Sequence, residues 1–106
     1  MLIKYNIDFS DDAIAVNLKR ITNQIYKLLP SREEGSDWEK PLSTVIQELV
    51  GMNRLLIGQQ DILFPLLCKL EGLFILTQPN DFFLFRRTIF ECLSLVNELS
   101  EQCQKI

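Results

Sequence analysis

Histidine is absent from this chain. Its absence excludes a Ser–His or Cys–His nucleophile pair and a mixed Cys–His zinc site. Cysteine is sparse: Cys68, Cys92 and Cys103 make an odd number with no close pair. A disulfide framework asks for even numbers and a zinc site for paired ligands. All three are therefore expected as free, small, buried hydrophobes in a reducing compartment. Only four glycines and four prolines occur, so little of the chain need be loop, and no glycine-rich phosphate loop is present. The most apolar stretch, Ile62 to Leu76, is interrupted by Pro65, Lys69 and Glu71. It falls short of the roughly 20 residues that a bilayer helix needs. The start, Met1-Leu2-Ile3-Lys4-Tyr5-Asn6, lacks the apolar core of a signal peptide, so a soluble, cytoplasmic protein is expected. Excess basic charge is missing too. With 14 acidic against 11 basic residues and a net charge of −3, the chain is a poor candidate for wrapping phosphates on a broad basic surface.

What is present reads as one mostly α domain. A length of 106 residues with 47% hydrophobic and 24% charged side chains suits a single core without staples. Four amphipathic segments follow one another. Ile14, Leu18, Ile21, Ile25 and Leu28 form one stripe, predicting a first helix over 11–29 that Pro30 ends. Pro30 to Lys40 is a polar connection in which Ser36 and Glu39 stand at capping-box spacing and Trp38 anchors the loop. Leu42, Val45, Leu49, Met52 and Leu56 predict a second helix over 41–57 with Gly58 as its C-cap. A third is expected over 61–76, with Pro65 near its start and Gly72 weakening its end. Asn80 can cap a fourth over 81–103, where Phe82, Phe85, Ile89, Cys92, Val96, Leu99 and Cys103 alternate spacings of three and four. That seam is either internal to a compact four-helix bundle or a coiled-coil dimer stripe.

Before the helices, Ile3, Tyr5, Ile7 and Phe9 alternate with Lys4, Asn6 and Asp8, the pattern of one short N-terminal extended strand. Nothing else in the chain alternates well enough to pair with it. Its partner is then the edge of another protein or a second copy, or the segment lies extended across a groove of the bundle, or it frays as a terminus.

A second feature marks the start of the fourth helix. Phe83 and Phe90 fall off the main seam and share a stripe, with Arg86 three residues after one and four before the other, at the spacing for cation–π contact. Aromatics around an arginine are typical of a binding hot spot; the competing reading is a thick core with Arg86 reaching out along its apolar stem. The acidic loop residues Glu33, Glu34 and Asp37 lack a calcium-loop spacing and read as solvated charge.

The stretches Leu28-Leu29-Pro30-Ser31-Arg32-Glu33-Glu34-Gly35-Ser36-Asp37-Trp38, Leu66-Leu67-Cys68-Lys69-Leu70-Glu71-Gly72-Leu73 and Arg86-Arg87-Thr88-Ile89-Phe90-Glu91-Cys92-Leu93 resemble short uncharacterised helical proteins of tailed bacteriophages and prophages. None of them is a motif of known chemistry, so the likeness implies a setting, the host bacterial cytoplasm, and transfers no site residue.

Together these readings lead to an expected non-catalytic protein–protein interaction module with no cofactor, no metal and no small-molecule ligand. It would bind a host protein or itself through Phe83, Arg86, Phe90, Ile3, Tyr5 and Ile7. Two alternatives stay open. One is a small dimeric nucleic-acid regulator using Lys19-Arg20 or Arg86-Arg87 on phosphates; the other is an assembly chaperone or structural accessory of a phage particle. Converging carboxylates are the one catalytic arrangement that residue order leaves open.

Overall fold

A computed structural model describes residues 11–104 except 55 and 57. The expected strand, and with it Ile3, Tyr5 and Ile7, lies outside the described residues. Within them the chain forms four α-helices and no strand: α1 Asp11–Glu33, α2 Glu39–Gly51, α3 Gln60–Gly72 and α4 Phe82–Gln104. Single 3-10 turns, Met52–Arg54, Leu73–Ile75 and Pro79–Asp81, fill out the connections.

Pro30 does not end α1, contrary to expectation; the helix continues through it to Glu33. A proline this close to a C-terminus costs one intrahelical bond, the one its missing N–H would give to residue 26. The stop lies at Gly35, whose φ of 76° suits a residue without a Cβ. There the Ser36 N–H reaches the Ser31 carbonyl at 2.9 Å and the Gly35 N–H the Arg32 carbonyl at 3.2 Å, the two bonds of a Schellman close.

α2 starts two residues before the expected Pro41. Asp37 Oδ1 accepts from the N–H groups of Glu39 at 3.1 Å and Lys40 at 3.2 Å. The cap is thus an aspartate of the acidic loop, in place of the expected Ser36–Glu39 box. Pro41 sits inside the first turn, where its missing N–H is no loss. At the other end α2 stops at Gly51, and Gly58, with φ of 88°, turns the chain toward α3. The 3-10 turn that leads into α4 is capped at Gln78, whose N–H donates to the Asp81 carboxylate at 3.1 Å, and Asn80 lies inside that turn instead of capping α4 as expected.

The contacts fix an antiparallel, up-down-up-down bundle. On the α1–α4 side, Val16 and Asn97 line one groove, Tyr26 meets Phe90, and Arg32 lies over Phe82 and Phe85. Residue numbers rise on one helix as they fall on the other. The same order holds for α1–α2, where Arg20 pairs with Glu48 at 2.7 Å and Leu28 neighbours Pro41. It holds again for α3–α4, where Lys69 pairs with Glu91 at 3.2 Å and Leu76 faces Leu84. α2 contacts α3 and closes the ring, as short links between antiparallel neighbours require.

The five apolar residues expected from each of the first two stripes are all buried, and so are Phe85, Ile89, Cys92, Val96 and Leu99 of α4. From Phe85 to Leu99 the α4 seam is therefore the bundle's own interior and not a free coiled-coil stripe; Phe82 is half-buried, and the side chain of Cys103 lies outside the described residues. No polar or charged residue is buried among the described residues. The cysteines divide. Cys92 is buried, whereas Cys68 is exposed, contrary to the expected burial, because Ile62, Leu63, Leu66 and Leu70 set the inner face of α3 and position 68 points away from it. Burial pushes the Cys92 thiol up from 9.0 to about 12. At pH 8, site-resolved mass spectrometry after maleimide treatment should show Cys68 modified, with Cys92 at least ~100-fold slower until the chain unfolds.

Candidate protein-binding face

Two features of the surface gather chemically distinctive side chains. The first is the end of the bundle where α1 finishes and α4 begins. Arg32 lies in the last turn of α1 and donates from Nε and Nη2 to the Leu76 carbonyl at 3.2 and 2.9 Å, and from Nη2 to the Gln78 carbonyl at 2.8 Å. Its guanidinium also covers the rings of Phe85 at 4.8 Å and Phe82 at 5.4 Å. Trp38 stacks on Phe74 at 6.5 Å and meets Phe85 edge-on at 5.1 Å, so it anchors its loop as expected.

An open cleft of about 540 Å³ lies here, lined by Arg32, Glu33, Trp38, Thr77, Pro79 and Phe82. The Arg32 Nε and Nη2 donors are engaged by main-chain carbonyls, and Glu33 is the only carboxylate of the lining. The cluster joins the C-terminus of α1 to the link between α3 and α4.

The second feature is the outer face of the α1–α4 seam. Phe83 is 82% exposed, Tyr26 54% and Phe90 41%, so the thick-core reading of the start of α4 does not hold. The buried faces of α1 and α4 settle why. With Phe85, Ile89 and Cys92 turned inward, positions 83, 86 and 90 fall on the far side at 100° per residue. Arg86 lies over the Phe90 ring at 5.4 Å. On its other side, Phe90 meets Tyr26 of α1 edge-on, centroids 6.2 Å apart at 88°, a favoured geometry for an aromatic pair.

Arg86 and Phe90 are thus brought together as expected. Phe83 stands about 10 Å further along the helix, on the same ridge. Down the seam, a groove of about 370 Å³ runs between Ala15, Val16 and Thr22 of α1 and Val96, Asn97 and Ser100 of α4.

Tyr26 was not foreseen as a member of this face. It lies off the apolar stripe of α1, and only the antiparallel register places it against Phe90. Arg32 was missed for the same reason, since its partners lie 44 and 46 residues away. Among the described residues, no group of three or more His, Cys, Asp or Glu side chains is placed to share a metal ion, and no helix is long and apolar enough to cross a membrane.

The fold and the face together define a small up-down-up-down four-helix domain with an aromatic ridge on one seam. No protein-family model, no curated protein and no solved structure matches the chain.

Proposed function

We propose that this protein is a non-catalytic protein-binding module whose docking surface is the outer α1–α4 face around Phe83, Arg86 and Phe90. The observation that carries this reading is Phe83, a phenylalanine 82% exposed, on one ridge with an Arg86-covered Phe90 and a partly exposed Tyr26. Exposed aromatic side chains on one ridge contribute little to folding, and around an arginine they have the make-up of a binding hot spot. The alternating Ile3, Tyr5 and Ile7 join the proposal as a second contact on sequence pattern alone. The resemblance to phage and prophage proteins gives the setting, a module that binds and inhibits or redirects a host protein in the bacterial cytoplasm.

The nucleic-acid alternative is weakened by the ion pairs. Of its two basic dipeptides, Arg20 is turned to Glu48 and Arg87 to Glu91, at 2.7 and 3.6 Å. One cation of each pair is left on the α1–α4 side, too few for the several phosphate contacts that such binding rests on.

A Phe83→Asp variant tests the proposal. Its melting temperature should match the wild type, because the side chain removed is exposed. In affinity capture from the cells that make the protein, a partner retained by the wild type should be lost by the variant. Equal retention by both would overturn the assignment of the face.

A further inference from the structure

We draw no further inference here: the strongest candidate, the exposed apolar stripe of Phe64, Cys68 and Ile75 on the outer side of α3 and the turn that follows it, is an unpartnered face, and nothing in the structure shows what covers it.

Discussion

Replacing Phe85 by alanine is expected to cost about 3–5 kcal/mol, the range for a buried phenylalanine. Phe85 is the largest side chain fully removed from solvent among the described residues. It is also the ring on which three elements meet: Trp38 from the α1–α2 loop at 5.1 Å, Arg32 from the end of α1 at 4.8 Å, and its own helix, α4. The alanine would leave a cavity under both groups and remove their shared aromatic contact. Domains of this size are stable by only about 5–15 kcal/mol, so the variant should sit close to its unfolding threshold at 25 °C. Urea denaturation followed by far-ultraviolet circular dichroism measures the loss. A cost under 1 kcal/mol would mean that this end of the bundle is not assembled around Phe85.

Arg32→Ala should follow, at about 2–3 kcal/mol. The substitution removes charge-assisted hydrogen bonds to the Leu76 and Gln78 carbonyls, which are stronger than neutral ones. It also removes the cation from two phenylalanine rings. Arg32→Lys should recover less than half of the loss. A lysine ammonium cannot reach two carbonyls in a fork while lying flat on a ring. The contrast between the two variants separates geometry from charge: full recovery by lysine would show that a positive charge near the α3–α4 link is sufficient.

The four helices were legible because their apolar stripes are long and regular. Every core residue expected in α1 and α2 is buried, because a stripe at 3.6-residue spacing has only one way to face a common interior. The boundaries were less legible. Pro30 looked like a stop, yet the helix runs three residues further to its Schellman close at Gly35. Asp37, read as solvated loop charge, caps α2, since capping depends on backbone geometry that several neighbouring polar residues could satisfy equally well. Cys68 sits among apolar letters but points outward, because sequence neighbours on a helix do not share a face.

The candidate site was half legible. Arg86 and Phe90 stand one turn apart on one helix, so helical spacing alone brings them together. Tyr26 is brought to them from another helix by the register of α1 against α4, which no local pattern encodes. The same limit hid Arg32, whose partners are main-chain carbonyls and carry no signature in the sequence. The alternation of Ile3, Tyr5 and Ile7 stays a property of the sequence, outside the described residues.

The central claim is that the Phe83–Arg86–Phe90 ridge is surplus to folding and available for a partner. Thermal unfolding of an Arg86→Ala/Phe90→Ala double variant, measured beside its capture of the partner, tests it most directly. The exposed cation–π and edge-on contacts are worth about 1–2 kcal/mol together. The double variant should therefore stay folded at 25 °C, melt cooperatively within about 10 °C of the wild type, and lose the captured protein. A double variant that is unfolded at 25 °C would show that the ridge belongs to the core, and would contradict the account.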